Sequence, residues 1–191
     1  VKITIAKQNI VLLPQRGAFW EEEKLLIVSD LHLGKAAAFQ KAGIGVPEGA
    51  MEEDLFQLKH LVQSTRAMRC VIVGDLIHAK TGLSDGVISF FAKWLQDVNC
   101  KIDLVLGNHD KALIRHLPES WNLELHQSEW YVGPFCFCHI PALIEGYFVW
   151  SGHIHPEILL KSGTDRLRLR CFQIFEGQAI LPAFSTFVGG S

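Results

Sequence analysis

Three short apolar runs, each stopping at a block of Asp, Asn, His and Gly, constrain this chain more than any other feature. Residues 25–29 (LLIVS), 70–73 (CVIV) and 102–106 (IDLVL) are apolar at nearly every position and rich in β-branched side chains. A strand reads that way when it is buried on both faces. Two helical patterns lie between the runs. Met51, Leu55, Leu58 and Val62 recur at steps of four, three and four, with Pro47-Glu48 as the start. Val87, Phe90, Phe91, Trp94 and Leu95 repeat that spacing behind Ser84-Asp85, a good N-cap. The order β-α-β-α-β predicts parallel strands with right-handed crossovers. Such strands share a carboxyl end, which is where open α/β sheets bind ligands.

After about residue 120 the pattern turns to strands alone. Residues 135–138, 147–150, 158–160, 166–174 and 179–181 follow at short spacing, and 3–5 and 11–13 read as an antiparallel pair turned near Gln8-Asn9. No linker, repeat or low-complexity tract divides the 191 residues. A single domain spanning 1–191 is expected, an α/β fold in which an α/β half feeds a β-rich half and the two sheets face each other.

Composition narrows the setting. The formal net charge of −2 gives no bulk attraction for DNA or an anionic membrane, so phosphate recognition must be local. No apolar run approaches the ~20 residues that span a bilayer. The N-terminal residues carry Lys2 and Lys7 without an uninterrupted apolar core or a small-residue cleavage site, so no signal peptide is expected. The five cysteines are an odd number, and those in apolar surroundings, such as Cys70-Val71-Ile72-Val73, suit thiols in a reducing compartment and a cytoplasmic location. Cys136-x-Cys138 has no second pair to complete a zinc site, and a structural role is expected.

The polar blocks carry the chemistry. They are Ser29-Asp30-Leu31-His32-Leu33-Gly34-Lys35, Gly74-Asp75-Leu76-Ile77-His78, Gly107-Asn108-His109-Asp110, Cys138-His139 and Ser151-Gly152-His153-Ile154-His155. Singly, each has an ordinary explanation: a loop pair, an N-capped turn, or two faces of a strand. Together they place Asp, Asn and His at the ends of five strands, with Gly nearby for close backbone approach. That donor set suits a pair of divalent transition ions rather than structural zinc, which favours thiolates. Two ions roughly 3.5–4 Å apart need a carboxylate between them, activate a shared water as hydroxide, and neutralise phosphoryl oxygens. A histidine that binds no metal can then protonate the leaving oxygen.

The order Asp-x-His, Gly-Asp, Gly-Asn-His-Asp, His, Gly-His-x-His from Asp30 to His155 resembles the calcineurin-like metallophosphoesterases. The resemblance implies a four-layer fold, two facing mixed β-sheets flanked by helices. It implies Asp30, His32 and His155 as ligands of one metal and Asn108, His139 and His153 as ligands of the other. Asp75 would bridge the two, and His109 would be the catalytic acid, oriented by Asp110. Two divalent ions are implied, with manganese expected and iron or zinc as alternatives. The Phe39-x-x-Ala42-Gly43-Ile44-x-Val46-Pro47 segment and the late Leu181-Pro182-Ala183-Phe184 with Gly189-Gly190 resemble the ligase-associated PdeM branch, the DNA-damage-response endonucleases. That likeness implies DNA phosphodiester cleavage in repair, with an ATP-dependent DNA ligase and a DEXH-box helicase as partners. Ser185 departs from the branch, where glycine is common.

Other residues stay open between roles. His78 can contact a substrate phosphate or hydrogen-bond a ligand, and Lys35 and Lys41 can hold phosphate or stand as solvated surface. Arg166, Arg168 and Arg170 share a strand face, which suits an edge guard or solvated surface, or a grip on a nucleic-acid backbone. His60, His116 and His126 are expected to be structural. The five tryptophans show no order as a base-stacking platform. Two other functions compete: a small-molecule phosphoesterase acting on a nucleotide or lipid-sugar pyrophosphate, and a non-enzymatic scaffold. The first lacks room for a large lid, and the second usually loses ligands that are all present here.

Overall fold

The computed structural model describes residues 1–45, 49–113 and 116–187. The Pro47-Glu48 helix start and Gly189-Gly190 lie outside the described residues. Strands β1 (Lys2–Ile5), β2 (Gln8–Leu12), β3 (Ala18–Trp20) and β4 (Leu25–Val28) form an antiparallel meander. It continues in parallel through β5 (Arg69–Val73), β6 (Lys101–Val105) and β7 (Glu124–His126), completing a seven-stranded sheet in sequence order. Helix α1 (Lys35–Lys41) follows β4, α2 (Ala50–Thr65) precedes β5, and α3 (Asp85–Asp97) precedes β6. The crossovers predicted from the apolar runs are therefore present. Ser84 caps α3 as expected, its Oγ accepting the Val87 N–H at 3.3 Å.

The second sheet comprises β8 (Glu129–Val132), β9 (Phe135–Cys138), β10 (Phe148–Ser151), β13 (Gln173–Phe175) and β14 (Gln178–Ile180), in the order β13-β14-β10-β9-β8. The sheets face each other across one core, where Ile10, Trp20, Ile27, Val71 and Val105 meet Phe135, Phe137, Trp150 and Leu181. Each such side chain contributes roughly 1.5–3 kcal/mol when fully buried. A second core lies outside the larger sheet, where Leu55, Leu58, Phe91 and Trp94 of α2 and α3 cover Leu26, Val28, Ile72 and Leu104. The outer face of the smaller sheet carries Cys136, Cys138 and Val149 under Ile144, so loop rather than helix forms that layer among the described residues. The two cysteines face away from the Phe135 and Phe137 side, as strand alternation requires.

Several local expectations shift. The first hairpin turns at Ala6-Lys7, both at positive φ (49° and 63°), because Ile5 pairs with Gln8 across a two-residue loop. Residues 166–174 are not one strand. β12 (Asp165–Arg170) pairs with β11 (Glu157–Ser162) in a projecting ribbon, and the chain then enters the second sheet as β13. Helix α1 escaped the sequence reading because it buries no residue completely and has no apolar stripe to betray it.

Candidate metal centre

Strands β4, β5 and β6 end side by side, and the loops that follow are stitched together before any side chain contributes. Asp30 N–H donates to Gly74 O at 3.0 Å, His32 N–H to Asp75 O at 2.9 Å, and Leu33 N–H to Leu76 O at 2.7 Å. Asp30, His32, Asp75, His153 and His155 all adopt left-handed backbone, with φ of 56°, 50°, 51°, 72° and 53°. For residues with a Cβ this conformation costs about 1 kcal/mol or more each, and such outliers cluster at functional sites. Two glycines make the close approach possible. A Cβ on Gly74, itself at φ 80°, would collide with the His139 ring, and one on Gly107 would collide with the Asp75 carboxylate.

The side chains gather in two sets. Asp30, His32 and His155 bring one ligand atom each within 4.8 Å of one another, and so do Asp75, His139 and His153. His155 Nε2 lies 3.2 Å from Asp30 Oδ1, while His139 Nε2 lies 3.3 Å from Asp75 Oδ2 and 3.0 Å from Asn108 Oδ1. His153 Nδ1 is 3.2 Å from His139 Nε2. Asp75 stands between the sets, its Oδ2 also 3.9 Å from His32 Nε2. Every ligand position named from the sequence therefore converges on one place.

Burial and charge prepare these groups for a cation. Both ring nitrogens of His32 are buried without a hydrogen-bond partner. Its imidazole is held down to about 4, first by burial, against the raising influence of Asp30 and Asp75. A buried, neutral, unpartnered imidazole is costly unless a ligand takes its lone pair. His139 shifts the other way. Burial lowers it, but the hydrogen bond and charge of Asp75 outweigh that and hold it above its ordinary value. His139 Nδ1 donates to Val73 O at 3.1 Å, which leaves Nε2 for a metal. Burial opposes the Asp75 carboxylate, yet His139 and the His109 N–H keep it below the usual range. The donor chemistry thus fits divalent cations. A third cluster, Asp103, Glu124 and His126, does not, because Arg69 already grips Asp103 through both carboxylate oxygens at 2.8 and 2.9 Å.

His109 sits at the opening, with 39% of its side chain exposed and Nε2 3.8 Å from Asp75 Oδ2. Its orientation corrects one expectation. Asp110 does not hold the His109 ring; the backbone carbonyl of His78 does, 2.6 Å from Nδ1. Asp110 is buried beneath the loops, where its carboxylate accepts the N–H groups of Gly107, Ile77 and Leu76 at 2.9, 3.0 and 3.2 Å. Sequence adjacency suggested the pairing, but the turn after Asn108 sends the two side chains apart. His78 contributes more than a side chain, and a backbone contact leaves no signal in a sequence. Its ring stacks on His109 with centroids 5.4 Å apart, and burial together with Lys35 and His109 lowers its pKa.

Sequence reasoning also missed a strap. Phe184 N–H and Ser185 N–H donate to Ser29 O and Asp30 O at 2.9 and 3.2 Å, tying residues 183–187 to the first ligand loop. Asp54 of α2 accepts the Thr186 N–H at 2.9 Å, and Arg170 donates to Ser185 O and to Thr186 O. Arg170 is thus committed to the strap, whereas Arg166 and Arg168 stay on the exposed ribbon, Arg168 3.9 Å from Glu157. Asp54, a carboxylate beside Leu55 and Leu58 on the buried face of α2, was the one available hint. Lys35 lies half-buried at the rim, and Lys41 donates to Thr81 O at 2.7 Å instead of facing the site. His126 is held by Asp103 at 2.9 Å and stacks on Trp130.

Fold and site together define a metal-dependent phosphoesterase. Residues 23–175 match the calcineurin-like phosphoesterase family, and the chain belongs to it. The crystal structure of Pseudomonas putida nuclease MPE aligns with a TM-score of 0.87 and 31% identity, over 100% of this chain and 90% of that one. This likeness is consistent with the PdeM-like branch that the sequence motifs resemble. Yfce, a phosphoesterase from E. coli, aligns with a TM-score of 0.44 and 17% identity, over 87% of this chain and 83% of that one. No curated protein matches the chain. No helix among the described residues is long and apolar enough to cross a membrane.

Proposed function

We propose that residues 1–191 form one catalytic domain that hydrolyses phosphodiester bonds in DNA, as a repair endonuclease or phosphodiesterase. The observation that carries this reading is the placement of Asp75, whose Oδ2 faces His139 Nε2 at 3.3 Å and His32 Nε2 at 3.9 Å. One carboxylate so placed would serve two cations. Asp30, His32 and His155 would hold the first ion, Asn108, His139 and His153 the second, and Asp75 both. When bound, such a pair supplies charge to the phosphoryl oxygens and an activated water for in-line attack. Manganese suits this imidazole-rich set, with iron or zinc as alternatives.

The chain's own groups do the rest. Because the His78 carbonyl can only accept, His109 carries a proton on Nδ1, and its Nε2 delivers the second proton to the leaving oxygen. Two cavities flank the site, about 300 Å³ on the Lys35 side and about 430 Å³ on the Lys111 side. A diester with chain on both sides of phosphorus uses both; a monoester uses one. The nuclease character of the Pseudomonas putida neighbour supports nucleic acid as substrate. Cytoplasmic repair alongside an ATP-dependent ligase and a DEXH-box helicase follows from the sequence resemblance, and the near-neutral charge is consistent with help from a partner in gripping DNA.

The test is to chelate the protein, reload it with Mn²⁺ or Mg²⁺, and compare a single-stranded DNA oligonucleotide, a simple diester and a simple monoester. Cleavage of DNA and diester above monoester, with Mn²⁺ at least equal to Mg²⁺, is expected. Monoester preference or intact DNA overturns the reading.

A further inference from the structure

The metal ligands leave unexplained a line of rings running out of the site past His109. His109 stacks on His78 at 5.4 Å, His78 meets Phe39 at 5.8 Å, and Phe39 meets Phe187 edge-on at 5.7 Å. Lys35 Nζ lies 5.7 Å from the Phe39 centroid and 6.0 Å from that of Phe187. Lys35 and Phe187 border the cavity of about 300 Å³ that opens beside His32. Neither Phe39 nor Phe187 belongs to the buried cores. Phe39 rides on a seven-residue helix that buries no residue completely, and Phe187 comes from the strap at the opposite end of the chain, also half-buried.

We propose that Phe39 and Phe187, with Lys35 at their edge, form a nucleobase subsite that stacks the base next to the scissile diester while the lysine meets its phosphate. Every base has a π-face, so aromatic stacking holds nucleic acid whatever its sequence. That cavity is walled by Phe187 and Lys35 but not by Phe39, so a base seated in it meets the Phe187 ring, with Phe39 edge-on against that ring at 5.7 Å. An ammonium lying against both rings places positive charge where the adjoining phosphate must pass. The subsite thereby gives the catalytic centre a handle on the polymer that net charge does not provide. This inference rests on the reading of the site as a nucleic-acid diesterase.

The experiment uses manganese-loaded protein and a set of oligonucleotides in which one abasic residue is moved along the strand. For the unaltered protein, kcat/KM is expected to fall roughly tenfold, within the range for loss of one stacked base, when the abasic residue lies next to the cleaved bond. The double variant Phe39→Leu, Phe187→Leu is expected to lose a similar factor on the intact strand, mainly through KM. On the strand abasic at that position it should stay within about twofold of the unaltered protein. Equal rates of the unaltered protein on intact and abasic strands overturn the subsite without any variant. A double variant that loses the same factor on both strands, or none on the intact strand, also overturns it. Failure of the unaltered protein to cut the intact strand refutes instead the diesterase reading beneath.

Discussion

Replacing Asp110 with Asn separates two roles that the sequence made look like one. The buried carboxylate accepts three N–H groups, Leu76 and Gly107 through Oδ2 and Ile77 through Oδ1. Burial raises its pKa while those three donors pull it back, so the charge is tolerated only because they surround it. An asparagine can keep its oxygen on two of them, but its NH₂ then faces the third N–H, donor against donor. A buried N–H left unsatisfied costs about 1–3 kcal/mol, and two charge-assisted bonds become neutral ones, partly offset by cheaper desolvation. The net loss is about 2 kcal/mol. In a domain of this size that is a fall in Tm of roughly 4–8 °C, measured by calorimetry on the metal-loaded protein. Because the ring of His109 is held by the His78 carbonyl, kcat for a diester should stay within about tenfold of the unaltered enzyme at a temperature where both are folded. A kcat reduced a thousandfold with an unchanged Tm would refute this and restore Asp110 as the partner of the acid.

Three further outcomes test the centre itself. His109→Ala should lower kcat by roughly 10²–10⁴ while both metals remain bound, and metal loss in proportion would make it a ligand. Asp75→Asn should abolish activity and reduce the metal content measured on folded protein, since one side chain serves both sets; two ions still bound tightly would contradict that placement. Metal affinity should rise with pH above about 6.5. A metal takes the deprotonated imidazole, and Asp75 raises the proton affinity of His139, whereas His32, held down to about 4, has no proton to lose there. Calorimetric titration of Mn²⁺ into chelated protein, in buffers of different ionisation heat, should therefore show proton release that persists above pH 6.5, the ordinary imidazole value; none there would count against the Asp75–His139 pair.

Periodicity found the strands and helices that bury a face, such as β4, β5, α2 and α3, because burial on a regular element repeats at a fixed interval. It failed for α1, which buries nothing completely, and for β3, β7 and β8, none of which is buried along its whole length as β4 is. It merged β12 with β13 because both are extended, although one lies in an exposed ribbon and the other in a sheet.

The candidate metal ligands were legible for a simple reason. Each lies within a few residues of the end of a strand, and parallel order brings those ends together, so chain position nearly specifies spatial position. What the sequence by itself determined is therefore the donor set and its convergence. The tertiary structure alone decided the direction of each side chain and the company it keeps. Asp110 turns under the loops while its neighbour His109 points out, because the local backbone, not sequence adjacency, sets the exit vector. Phe39 and Phe187 meet across almost the whole chain, and Asp54 and Arg170 converge on the strap, because contacts between distant segments follow no local period.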